Sequence, residues 1–255
     1  MKVRTWPGLL ALPKPDIYYI VEPQLLAYGG TMILYGQAET FKSFLAIELV
    51  YAVAMQQAWL GMFYTRQVPT LIVQAEEPEP MYQLRIEKFT RGHGGVPKDC
   101  YFATDPTLKL DGFLGASLLD TAIKEHGIKL VIIDCMYKVV TGSTSDETNQ
   151  KRLLEQIDEL RTKYNCAFVI VHHPRKEQMD GRAAYDKGYE EMLGSAVLNF
   201  WADTIVKVSH SSRLSDVLTL EFQKARRAEQ KLPDVMVHID RDRLQLAVDF
   251  TRAMD

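Results

Sequence analysis

Over the first 29 residues apolar and polar positions follow no period, and four prolines interrupt them. This stretch reads as a proline-containing, extended arm at 1–29 that leads into a single domain at 30–255. The pattern then changes to short apolar runs separated by longer amphipathic stretches. "TMILY" predicts a strand, followed by a helix over 43–55. "TLIVQA" predicts the next strand and "MYQLRIEKF" the next helix. "CYFAT" is a short strand, and the helix around "LGASLLDTAIKEHG" stops at Gly127. "KLVIID" is apolar without a break until Asp134. Residues 146–164 carry apolar positions at helical spacing, with Asp146 as the N-cap. "AFVIVHH" repeats the unbroken apolar run. Such runs suit strands whose two faces are both covered by helices, as in parallel sheets. Later, "TIVKVS", "VLTLEFQKA", "VMVHID" and "LQLAV" are broken by polar residues and predict antiparallel pairing at one edge. The expected fold class is α/β: a mostly parallel central sheet flanked by helices, with an antiparallel C-terminal extension.

Composition narrows the function classes. With 255 residues, 47% of them hydrophobic, the chain can bury one large core. A net charge of −3 provides no global positive field, so nucleic-acid binding would have to come from local basic loops or from a ring of copies. The three cysteines, Cys100, Cys135 and Cys166, are far apart and form no C-x-x-C pair, which argues against a disulfide framework or a zinc knuckle. They read as reduced thiols of a cytoplasmic protein. The longest apolar run, "FLAIELVYAVAM", is interrupted by Glu48 and is too short to span a bilayer, so no membrane association is expected. The prolines near the N-terminus argue against a signal peptide.

The candidate chemistry begins after the first strand. Residues 36–43, "GQAETFKS", fit the phosphate-binding pattern G-x-x-x-x-G-K-[ST] except that Phe41 stands where the second glycine belongs. A phosphate loop needs inward backbone N–H groups, a helix N-terminus and a lysine. Gly36, Gln37, Ala38, Glu39, Thr40, Phe41, Lys42, Ser43 and Phe44 would surround the nucleotide. The substitution at Phe41 removes steric freedom but leaves the backbone N–H. An ordinary strand–turn–helix is the alternative for this loop alone. Two further strand ends favour the nucleotide. Asp134 closes one apolar strand, where a magnesium ligand belongs. Glu76 and Glu77 close another, on the same sheet rim, where α/β sheets bind ligands. The expected cofactors are ATP and Mg2+, with Ser43 holding the metal directly and Asp134 through water. Cys166 with the adjacent His172 and His173 does not make a metal site, because neighbouring strand residues face opposite ways.

The order and spacing of these motifs resemble the RecA/DnaB-type P-loop ATPase core, in particular the RepA-like hexameric replicative helicases of plasmids and phages. The resemblance runs from about residue 13 to about residue 239. It implies that Glu76 is the catalytic base, with Glu77 its neighbour, that Lys42 neutralises phosphate charge, and that Arg85, with Tyr82, touches the adenine. In "VIVHHPRK" it implies His173 as the γ-phosphate sensor, with His172 second. In "EFQKARRAEQK" it implies Lys224 and Arg226 as groups acting on a neighbour's nucleotide, with Arg227 as fallback. Two loops, 138–147 and 174–189, would line a central channel. The second carries Arg175, Lys176, Arg182 and Lys187, interleaved with Tyr185 and Tyr189, which suits single-stranded DNA.

The implied function is an ATP-dependent DNA helicase or translocase. Its implied partners are single-stranded DNA, further copies in a ring, a hexamer by family analogy, and a primase or replication-initiation protein. The implied setting is the bacterial cytoplasm, on a plasmid or phage. The alternatives are a recombinase or KaiC-like signalling ATPase, and a scaffold or loader that binds nucleotide without hydrolysing it.

Overall fold

The computed structural model describes residues 2–13, 18–142, 147–173, 196–211 and 216–248. A short helix α1 (Trp6–Leu10) comes first. Strands β1 (Tyr19–Glu22), β2 (Leu26–Ala27) and β3 (Thr31–Tyr35) lead to helix α2 (Lys42–Met55). Next come β4 (Tyr64–Thr65), β5 (Thr70–Gln74), α3 (Glu79–His93), β6 (Cys100–Thr104), α4 (Phe113–His126) and β7 (Leu130–Asp134). The rest of the domain is α5 (Met136–Val139), α6 (Glu147–Tyr164), β8 (Ala167–His172), α7 (Ala196–Trp201), β9 (Thr204–His210), β10 (Val217–Ala225), β11 (Val235–Asp240) and β12 (Gln245–Val248).

Among the described residues the main sheet has nine strands, in the order β12-β11-β10-β9-β3-β8-β7-β5-β6. From β9 to β6 all pairings are parallel; β9 to β10, β10 to β11 and β11 to β12 are antiparallel. The mostly parallel sheet with an antiparallel C-terminal extension is therefore present, and β9 is the strand at which direction changes.

The unbroken apolar runs follow from burial on both faces. Met32 and Leu34 of β3, with Ile72, Ile132 and Val169 of its neighbours, join Leu45, Leu49 and Val53 of α2 in one core layer. Ile33 and Tyr35, with Val73, Ile133 and Ile170, join Ile123 of α4 and Leu154 and Ile157 of α6 in the other. Alternate residues of each strand thus serve opposite layers. Each fully buried Leu or Ile contributes about 1.5–3 kcal/mol of transfer free energy. Gly127 ends α4 in the left-handed conformation, at φ 60°, as its position in the sequence predicts.

Two stretches differ from expectation. From Tyr19 onward the expected arm is built into the fold: β1 pairs with β2 and β4, and Ile20, Val21, Leu25 and Leu26 are buried. These strands are too short to display a period, and Pro23 interrupts them. The expected loop at 138–147 begins inside helix α5, and Thr141 is tied to Asp111 through its backbone N–H (2.8 Å) and hydroxyl (2.9 Å). Asp146, the expected cap of α6, lies outside the described residues, as do Arg175, Lys176, Arg182 and Lys187.

Candidate active site

The loop between β3 and α2 is fixed from both sides. A Cβ on Gly36 would stand 2.1 Å from the Val208 carbonyl oxygen of β9, so only glycine allows the two backbones this close. Five residues on, Phe41 occupies the left-handed region (φ 57°, ψ 21°) immediately before the first turn of α2. This is the position where the consensus has glycine, and the backbone there does adopt the conformation glycine favours. The aromatic ring is held by three neighbours: Phe44 at 5.7 Å between ring centroids, His210 edge-on at 6.2 Å, and the Arg241 guanidinium 4.8 Å from the ring centre. Those contacts offset part of the backbone strain.

Lys42 is buried at the start of α2. Its ammonium donates to the Gln37 carbonyl and to Thr40 Oγ1 (3.1 Å), and Thr40 in turn donates to the Gln37 carbonyl at 2.9 Å. Burial lowers the Lys42 pKa to about 8, against the upward pull of Asp134, Cys135 and Glu76. A poorly hydrated ammonium at a helix N-terminus gains when an anion arrives. Gln37, Ala38 and Glu39 are exposed on the outer part of the loop.

Ser43 Oγ donates to Asp134 Oδ1 at 3.1 Å, joining α2 to the end of β7. Burial raises the Asp134 carboxyl to about 6, partly countered by the Ser43 hydrogen bond. A hydroxyl beside a carboxylate is the hard-oxygen pair that suits Mg2+. Glu76, exposed just beyond β5, receives a hydrogen bond from Tyr137 OH on Oε1 (3.2 Å) and lies 3.6 Å from Cys135 Sγ through Oε2. Glu77 turns instead to Arg85, with which it forms an ion pair. The Arg85 guanidinium sits 5.3 Å from the centre of the Phe44 ring. His173, half-buried, follows β8 with its ring edge-on to Tyr137 at 5.8 Å between centroids; burial lowers its pKa, and Lys42 lowers it further. His172 is the last strand residue and is buried.

These groups converge on one cavity of about 770 Å³. Glu39, Thr40, Phe41, Lys42, Ser43 and Phe44 line it, as do Glu76, Arg85, Asp134 and His173. His210, Asp216 and Arg241 close its other side. No sequence motif selects those three. They are brought in by β9, β10 and β11, and only the pairing of those strands could have identified them.

Lys224 and Arg226 stand elsewhere. Strand β10 runs against β9, so its last residues lie beside Thr204, at the amino ends of the parallel strands. Arg226 pairs there with Asp203 (3.1 Å) and donates to the Phe200 carbonyl (3.0 Å), with Arg227 3.9 Å from the same carboxylate. Lys224 donates to the Asn199 carbonyl at 2.5 Å. Neither side chain enters the cavity of its own chain.

Comparison with known proteins agrees with this arrangement. A family described as AAA domain matches residues 3–179, more than half of the chain. No curated protein matches the sequence. Among solved structures the chain is similar to the ATPase domain of a DnaB-like helicase, at 10% sequence identity with a TM-score of 0.63. That similarity covers 86% of this chain and 84% of the other, and at such identity it speaks for the fold alone.

Proposed function

Because the chain belongs to the AAA domain family and has a RecA/DnaB-type P-loop ATPase core, we propose that it hydrolyses ATP to move along single-stranded DNA or to unwind duplex. The observation that carries this reading is the convergence of Lys42, Ser43, Glu76, Asp134 and His173, from three separate strand ends and one helix start, on one cavity. Lys42 and the backbone N–H groups at the start of α2 bind the β and γ phosphates. Ser43 and Asp134 hold Mg2+, which spreads the charge of the phosphate oxygens when bound. Glu76, oriented by Tyr137, takes the proton of the attacking water as the bond to the γ-phosphorus breaks on its far side. Arg85 and Phe44 offer a cation and a ring to the base of the nucleotide. His173 adjoins both the phosphates and the segment that begins at Pro174. That segment carries Arg175, Lys176, Arg182 and Lys187, which grip DNA in this reading.

Lys224 and Arg226 act on the nucleotide of another copy. Their position at the rim opposite their own cavity supports a head-to-tail repeat, in which each copy gives and receives one such contact. A closed ring, six-membered by analogy with the resembled helicases, meets that requirement.

The test is steady-state ATP hydrolysis with Mg2+, with and without single-stranded DNA, alongside Lys42→Ala. Turnover that rises with DNA and vanishes in the variant is the expected result. Turnover indifferent to DNA would refute the motor and leave an ATPase of the signalling kind. Nucleotide binding without turnover would refute hydrolysis altogether.

A further inference from the structure

Glu76, Cys135 and His173 bring a carboxylate oxygen, a thiol sulfur and an imidazole nitrogen within 4.8 Å of one another. The three residues follow β5, β7 and β8, so the parallel sheet itself brings them together at one rim. Phosphate chemistry gives the thiol nothing to do. Magnesium prefers hard oxygen ligands, which Ser43 and Asp134 already supply. A sulfur and an imidazole nitrogen instead suit a softer cation. We propose that Glu76, Cys135 and His173 form a second cation site, selective for zinc-class divalent ions, and that its occupancy stops hydrolysis by engaging Glu76.

Three protein ligands with an open fourth position match the composition of a zinc site that also carries water. Tetrahedral zinc at bond lengths of about 2.0–2.3 Å holds its ligand atoms about 3.3–3.8 Å apart. Cys135 Sγ and Glu76 Oε2 are already 3.6 Å apart, so closing the triad asks only for a modest turn of the exposed Glu76 and half-buried His173 side chains. Tyr137 supports two of the ligands at once, through its hydroxyl to Glu76 Oε1 (3.2 Å) and its ring against His173 (5.8 Å). Outer-sphere support of this kind orients metal ligands. On binding, the Cys135 S–H bond breaks, a sulfur–metal bond forms, and the proton leaves to solvent; no electron is transferred. Glu76 exchanges its contact with the thiol for the metal and can no longer accept a proton from water. Binding stands independently of the proposed function, whereas inhibition rests on Glu76 being the base there.

The test uses the full chain, freed of metal and titrated with Co2+ as a spectroscopic stand-in for zinc. The expected result is a sulfur-to-cobalt charge-transfer band that Zn2+ displaces. The band should be lost in Cys135→Ser, weakened at least tenfold in apparent affinity in His173→Gln, and unchanged in Cys100→Ser. No band in the unaltered chain overturns the site. So does a band that survives in Cys135→Ser, because its sulfur would then belong to Cys100 or Cys166. Should Cys135→Ser fail to fold by circular dichroism, His173→Gln decides, and unchanged cobalt affinity there overturns the site. Zn2+ at the occupancy set by the cobalt titration should suppress ATP turnover while a fluorescent nucleotide stays bound. A cobalt band with unaffected turnover refutes the inhibition and points to an error in the role given to Glu76, not in the site.

Discussion

Phe41 sets two opposing effects against each other at one residue, and two substitutions separate them. A left-handed backbone costs an L-residue about 1–2 kcal/mol, while glycine adopts it freely. Phe41 is in that conformation, at φ 57°. Its ring meets Phe44, His210 and Arg241. An aromatic pair is worth about 0.5–1.5 kcal/mol beyond burial, and a cation over an exposed ring about 0.5–1 kcal/mol. The ring contacts therefore sum to about 2 kcal/mol, close to the strain they offset. Both Phe41→Ala and Phe41→Gly lose the ring, but only glycine relieves the backbone. Phe41→Ala should cost about 2 kcal/mol of unfolding free energy. Phe41→Gly should recover about 0.5–1 kcal/mol of that, because the relief of strain is partly offset by the greater freedom of glycine in the unfolded chain. Urea unfolding followed by circular dichroism measures both. An alanine variant as stable as the glycine variant, or more so, would refute the left-handed assignment and with it the account of how this loop tolerates an aromatic residue.

Glu48 lies buried in α2 with Oε2 unpartnered among the described residues, and burial raises its pKa to about 8. The folded state thus holds its proton where the unfolded state has lost it. Stability is full below about pH 4.5 and should fall by up to about 1.4 kcal/mol per pH unit until the folded group ionises; the fall should end near pH 8. Glu48→Gln should flatten that slope, and an unchanged slope in urea titrations across this window would disprove it. Gly36→Ala places a methyl group 2.1 Å from the Val208 carbonyl and should weaken binding of a fluorescent ATP analogue at least tenfold; intact affinity would mean that β9 gives way. Arg226→Ala should abolish turnover in the assembled protein yet spare nucleotide binding. Loss of binding by an isolated subunit would instead mark Arg226 as a structural partner of Asp203.

The parallel core was legible because burial on both faces writes itself as unbroken apolar runs, such as "KLVIID" and "AFVIVH". Helix ends with a local chemical signal, such as Gly127, were legible for the same reason. Strands β1, β2 and β4 were not, since two to four residues cannot display a period and their partners lie across a turn or after α2. Within the site, Lys42, Ser43, Glu76 and Asp134 announced themselves by following apolar strands in the right order. Tyr137 and Cys135 sit beside Asp134 in the sequence, yet their relation to Glu76 depends on β5 and β7 being neighbours. Arg241 and His210 are further removed, because their approach to Phe41 requires the antiparallel extension to fold back beside β3. Likewise, the rim on which Lys224 and Arg226 stand is decided by the direction of β10, which composition does not encode.

Strand β9 has a mechanical consequence. Near one end its Val208 carbonyl abuts Gly36, and His210 Nε2 donates to the Glu39 carbonyl at 3.0 Å. Just before its other end Asp203 holds Arg226 and accepts from the Thr31 backbone N–H at 3.3 Å. A strand locked between two neighbours neither stretches nor hinges, so over about 20 Å it behaves as a tie-rod. A displacement of the phosphate loop that drags β9 lengthwise reaches the anchor of Arg226 undiminished. The loop that senses one nucleotide and the arginine offered to the next copy are two ends of a single stiff part.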